Sequence, residues 1–186
     1  MPKYIRLVFS ATLVFGHLSF AAFAQQGHRQ LGSHQHGHGQ FNVVMEGRKV
    51  VMELNIPGRD VTGFEHKPST PAQMSVLKKV TVRLKSGLTL FVPPAAAQCK
   101  LVAANVETSK EEHHDDADDD KDGGHMEFHV QYRLECSAPQ KFDRIRFDFF
   151  KAYPSTQALE VMIISDKGQR VYDITAANPV ADMPVQ

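Results

Sequence analysis

Residues 125–136, HMEFHVQYRLEC, alternate apolar and polar side chains almost without error. A β-strand turns successive side chains to opposite faces, whereas a helix would smear this pattern around its circumference. Met126, Phe128, Val130, Tyr132, Leu134 and Cys136 share one face, and His125, Glu127 and His129 share the other. The chain must therefore build a sheet with one buried and one wet face. On the wet face, two imidazoles and a carboxylate stand at i, i+2 and i+4.

The same period marks other stretches. Phe41, Val43 and Met45 alternate with Asn42, Val44 and Glu46, and Val50, Met52, Leu54 and Ile56 keep the same period after the turn EGRK, which predicts a β-hairpin. Residues 57–71, rich in Pro, Gly and Ser/Thr, read as loop. Thr70, Pro71 and Gln73 form a capping-box start for a helix that keeps Met74, Leu77, Val80 or Thr81, and Leu84 at helical spacing and stops at Gly87. LTLFVPP, KLVAANVE, RIRFDFF, LEVMIIS and RVYDIT are further predicted strands, and the last residues read as a frayed tail. The expectation is an α+β fold, mostly antiparallel sheet, in two strand-rich halves flanking one helix and one acidic loop.

Two segments fall outside this pattern. The first residues carry Lys3 and Arg6, a largely apolar run from Leu7 to Phe20, and Ala22-Phe23-Ala24, the signature of a secretory signal peptide over 1–24. Gly16, His17 and Ser19 interrupt the run, and no later hydrophobic span occurs, so no membrane span is expected after cleavage. The second is residues 108–124, TSKEEHHDDADDDKDGG, which hold eight acids, His113 and His114, and no apolar side chain larger than alanine. Such a stretch has nothing to bury and reads as a disordered loop. The organisation expected is a leader over 1–24, a histidine-rich segment over 25–40 and a single domain over 41–180.

The chain has 21 cations and 21 acids, and removing the leader deletes two cations and no acid. That balance argues against a nucleic-acid binder, which normally shows a basic surplus. Cys99 and Cys136 are the only cysteines. An even pair in an exported chain favours a disulfide over two thiols or two metal ligands.

Histidine is the residue in excess, with ten in 186 positions. His34, His36 and His38 stand at every second position just before the first hairpin, and His66 sits in GFEHKP. Neutral imidazole and carboxylate suit Zn²⁺, which takes four such ligands at about 2.0–2.2 Å. They would also accept Cu²⁺ or Ni²⁺, so ligand type alone leaves the metal open. Each cluster has a plainer reading: a solvated tail for 34–38, a polar strand face for 125–129, a loop residue for His66. Asp118, Asp120, Asp122 and Gly123 match the opening of a calcium loop, but its twelfth position is His129 where a bidentate Glu belongs. The acidic stretch is better read as a charged segment that raises local cation concentration, with His113, His114 and His38 as weak ligands.

HQHGHGQFNVVMEG, GFEHKP, AAAQC, HMEFHVQYRLEC, FDFFKAYP and DKGQ occur in the order found in the periplasmic zinc-binding proteins of the zinc-regulated ZrgA type. The chain resembles that family from about His34 to Thr175. The resemblance implies zinc binding in the periplasm in support of zinc uptake, with a histidine-rich loop beside a structured site. It assigns His34 and His36 to the H-x-H-G motif, Glu65 and His66 to GFEH, His125 and Glu127 to H-x-E-F, and matches Cys99 and Cys136. The loop departs from the family in having two histidines amid eight acids.

The expected function is capture, buffering or delivery of Zn²⁺ by a non-enzymatic periplasmic protein. The expected ligands come from His34, His36, His66, His125, Glu127 and His129, and a periplasmic zinc ABC-transport system could receive the metal. A copper- or nickel-handling protein is the rival on metal identity. A zinc-dependent hydrolase is the rival on class, weakened by the lack of a helical H-E-x-x-H motif.

Overall fold

The computed structural model describes residues 36–110 and 125–184, the side chains of 109 and 110 excepted. The expected leader, His34, and the acidic residues 111–124 with His113 and His114 lie outside the described residues.

The predicted hairpin forms from β1 (His38–Glu46) and β2 (Lys49–Pro57), with Val43 opposite Met52. Gly47 takes φ +56° in the two-residue turn, a conformation that suits glycine in such hairpins. The chain then winds through α1 (Gly58–Thr62), a turn of helix where only loop was expected. The predicted helix is α2 (Pro71–Lys85), opened by the capping box: Thr70 accepts from Gln73 N at 3.2 Å, and Gln73 Oε1 accepts from Thr70 N at 3.3 Å. Val80 and Leu84 are buried as the period requires, but Met74 is 52 % exposed. Helix α2 ends at Lys85, and Gly87, expected as its stop, instead opens a further short helix; a Cβ at Gly87 would lie 2.5 Å from the Tyr132 ring.

Most of the strand expected over 88–94 is instead α3 (Gly87–Leu90), leaving a two-residue β3 (Phe91–Val92). Strands β4 (Cys99–Lys110) and β5 (Met126–Cys136) follow, and β4 extends through Thr108–Lys110, which were expected to open the disordered loop but pair with β5 instead. RIRFDFF divides into β6 (Arg144–Phe147) and α4 (Phe149–Ala152). After β7 (Ala158–Ser165) and β8 (Gly168–Thr175), the expected frayed tail contains β9 (Val180–Asp182), paired with β6.

The expected two halves merge. One six-stranded sheet has the order β4-β5-β2-β1-β7-β8, so strands from both sides of the helix interleave. Its pairs are antiparallel except β1 with β7, which run parallel. The three-stranded sheet β3-β6-β9 belongs to a second layer. The sequence alternation decides which face is covered. Phe41, Met52, Leu54, Phe128, Val130, Tyr132, Val161 and Ile163 are all fully buried. Phe91 stacks on Phe41 at 4.2 Å and on Phe149 at 5.5 Å, joining the layers. Each such side chain contributes about 1.5–3 kcal/mol by leaving water. Tyr132 can be buried because its hydroxyl donates to Leu84 O at 2.8 Å. The other face is polar, with Gln131 Nε2 donating to Glu53 Oε1 at 3.0 Å. Cys99 and Cys136, register partners on β4 and β5, are joined by a disulfide.

Among the described residues, no helix is long and apolar enough to cross a membrane.

Candidate metal centre

At one end of the large sheet, three segments far apart in sequence meet. The first is the turn leading into β1. Gly37 adopts φ +84°, and this left-handed residue takes His36 out of the strand alternation. Its amide is accepted by both carboxylate oxygens of Asp60, at 3.0 and 2.9 Å, and its carbonyl accepts from Gln157 N and Ala158 N at 2.7 and 3.0 Å.

The second segment runs from α1 to Glu65. Gly58 lies so close to β5 that a Cβ would fall 2.6 Å from Met126 O. Gly63, at φ +85°, ends α1, and Thr62 Oγ1 bridges to Gly58 O and Phe64 O at 2.9 and 2.7 Å. The third segment is the start of β5, where Met126 N donates to Glu65 O at 2.7 Å. That backbone bond sets the Glu65 side chain beside His125.

One carboxylate oxygen then serves two imidazoles. Glu65 Oε2 lies 3.2 Å from His125 Nδ1 and 3.5 Å from His36 Nε2. The rings of His36 and His125 stand edge to face, 6.3 Å between centres. The side chains are 33–45 % exposed, yet Glu65 Oε2 and His125 Nδ1 themselves are closed to solvent. The cluster is thus open on its His36 side and dry at the Glu65–His125 contact. Among the described residues, no three His, Cys, Asp or Glu side chains already stand as a ready-made metal cage; here the donors engage one another. The spacing matters chemically. Two ligands about 2.0–2.1 Å from a tetrahedral zinc lie roughly 3.3 Å apart, close to both contacts.

The remaining candidates go elsewhere. His38 is exposed on β1. Exposed His66 sits 5.5 Å from the Phe64 ring, and its Nε2 meets Gln73 Nε2 at 2.9 Å. Gln73 Oε1 already accepts from Ser69 N and Thr70 N, so its amide nitrogen must be the donor and His66 Nε2 the acceptor. His129 Nδ1 meets Asn55 Oδ1 on the polar sheet face, with Glu107 as its register partner on β4. Glu127 occupies the same face, opposite Pro57 on β2 and Ser109 on β4. The structure therefore joins His36 to His125 through Glu65, and directs His66 and His129 to other partners.

Asp60 is a residue that the sequence pattern did not reveal. It is 5 % exposed, and burial pushes its carboxyl above the ordinary range, partly offset by the Gly37 amide, His36, His38 and Arg59. In PGRDVTGF no period marks it; only its place two residues beyond a Pro-Gly step hinted at a turn.

The sheet scaffold thus brings two imidazoles, those of His36 and His125, against the one carboxylate of Glu65 at its edge. The family model described as "ZrgA family zinc uptake protein" matches residues 33–183, and the chain belongs to that family. No curated protein matches it.

Proposed function

We propose that the protein is a periplasmic zinc carrier that captures Zn²⁺ at His36, Glu65 and His125, buffers it, and passes it to an uptake system such as an ABC transporter. The observation that carries this reading is the single Glu65 oxygen between His36 Nε2 and His125 Nδ1. Membership in a zinc uptake family supports the metal and the uptake role. It also favours binding and transport over hydrolysis. His34, two residues upstream of His36, is the proposed source of a fourth ligand, with water or His66 as its competitors. His129 and Glu127 form a polar face beside the site and attract cations weakly, together with His113 and His114.

Calorimetric titration of the purified protein with Zn²⁺ tests this. A tight phase should be lost in His125→Ala and Glu65→Gln and kept in His129→Ala. Retention of that phase in His125→Ala would refute the site. Competition by Cu²⁺ and Ni²⁺ settles the metal preference, since imidazole donors accept both.

A further inference from the structure

Asp60 is the one charged side chain that is buried among the described residues. A carboxylate out of water is costly unless hydrogen bonds or opposite charge compensate it. Here both oxygens face a single amide, that of Gly37. A neutral acceptor would satisfy that amide as well, so the hydrogen bond alone does not explain a full charge. The cationic or titratable groups whose fields reach Asp60 are His36, His38 and Arg59. Arg59 is exposed and next in sequence, where solvent screens it.

We propose that Asp60 is the positioning residue and the built-in counter-charge of the metal site. Its grip on Gly37 aims His36 at Glu65. Its charge, added to that of Glu65, supplies two negative charges against a divalent cation held by neutral imidazoles. The proposal rests on His36, Glu65 and His125 being the ligands. Without Asp60 the loaded site would keep a net positive charge in a partly dry pocket; with it the charges balance. The site then favours divalent over monovalent cations by charge as well as by ligand type. Asp60 touches no metal in this scheme. It acts through Gly37 and through its field, as groups behind metal ligands generally do.

The test uses Asp60→Asn and Asp60→Ala beside wild type and His125→Ala, titrated with Zn²⁺ alone. Asp60→Asn keeps an oxygen for the Gly37 amide and removes only the charge. It should melt no lower than wild type and bind zinc about tenfold more weakly; Asp60→Ala should lose affinity further, toward a hundredfold. Hydrogen exchange at the Gly37 amide should be slow in wild type and Asp60→Asn, and fast in Asp60→Ala. A purely structural Asp60 would lower the melting temperature in Asp60→Asn and leave zinc affinity untouched, which overturns the proposal. Should Asp60→Ala fail to fold, the other two readouts decide: wild-type zinc affinity in Asp60→Asn, or an unprotected Gly37 amide in the wild-type protein, sinks the idea. If His125→Ala also binds like wild type, the ligand assignment itself falls. If only His125→Ala loses zinc, the assignment stands and the role of Asp60 does not.

Discussion

The two ends of β5 are held in different ways. At Cys136 the strand is bonded covalently to Cys99, its amide donates to Arg48 O at 2.8 Å, and its side chain is fully buried. At the His125 end it is held by the ladder to β4 and β2, by the backbone bond from Met126 to Glu65, and by part-exposed imidazole–carboxylate contacts, with no covalent link. The covalent anchor lies at one end and the imidazole–carboxylate contacts of the proposed site at the other. If that site is the metal centre proposed above, changes to its ligands should leave the fold standing, and loss of the covalent anchor should leave the ligands in place.

The largest effect should come from the core that both ends share. Phe91→Ala removes the ring that stacks between Phe41 and Phe149, and should cost about 3–5 kcal/mol in denaturant unfolding. Reducing the disulfide, whose cysteines are 37 residues apart, should cost about 3–4 kcal/mol on the chain-entropy picture. Under native conditions the reduced protein should still titrate with zinc at wild-type affinity. A joint loss of folding and zinc binding would show that the two ends are not independent.

At the other end, Glu65→Gln should weaken zinc binding about a hundredfold, roughly 2.7 kcal/mol, with little change in melting temperature. Imidazole and carboxylate bind metal only when deprotonated, so acidification from pH ~7 to ~5 should release zinc. Zinc affinity that stays flat across that interval would count against imidazole ligands.

The smallest effect contrasts two aspartates. Hydrogen bonds from Arg146 and Lys151 hold Asp148 down to about 2, so it stabilises the fold above the ordinary carboxylate range and loses that contribution as pH falls toward 2. Being a surface cluster, it should contribute less than about 1 kcal/mol, seen as a gap between wild type and Asp148→Asn that closes on acidification. Asp60 has the opposite sign: its carboxyl is raised, so its cost to the fold is absent in acid and appears as pH rises through the raised value. The melting gap between wild type and Asp60→Asn should therefore widen toward neutral pH, in favour of the variant.

The legible parts of this fold are those with a local cause. Strict alternation located β5 and the β1–β2 hairpin, and the capping box located the start of α2. The segment from Leu88 to Leu90 has strand-like composition but curls into α3, between Gly87, packed close against the Tyr132 ring, and Phe91, which meets the same ring; both are tertiary contacts that no local pattern announces. Strand β9 is three residues long and exists through its pairing with β6, a partner no local pattern announces. For the proposed site, the expected ligands included His36 and His125 among six, while Glu65 entered only through the GFEH motif of the family resemblance. Parity alone would have kept His125 with His129. It is the Met126–Glu65 bond, a tertiary contact, that draws His125 toward His36.

The parallel pairing of β1 with β7 has a consequence for the order of assembly. Strand β1 pairs on one flank with β2, its neighbour in sequence, and on the other with a strand more than a hundred residues later. The hairpin and the β4–β5 pair need only local closure, whereas the carbonyl of Gly37 waits for Gln157 and Ala158. Contacts of long sequence separation form slowly, since loop closure comes before their reward. A refolding chain should thus acquire its β-sheet signal before it acquires tight zinc binding, with the seat of His36 finished last.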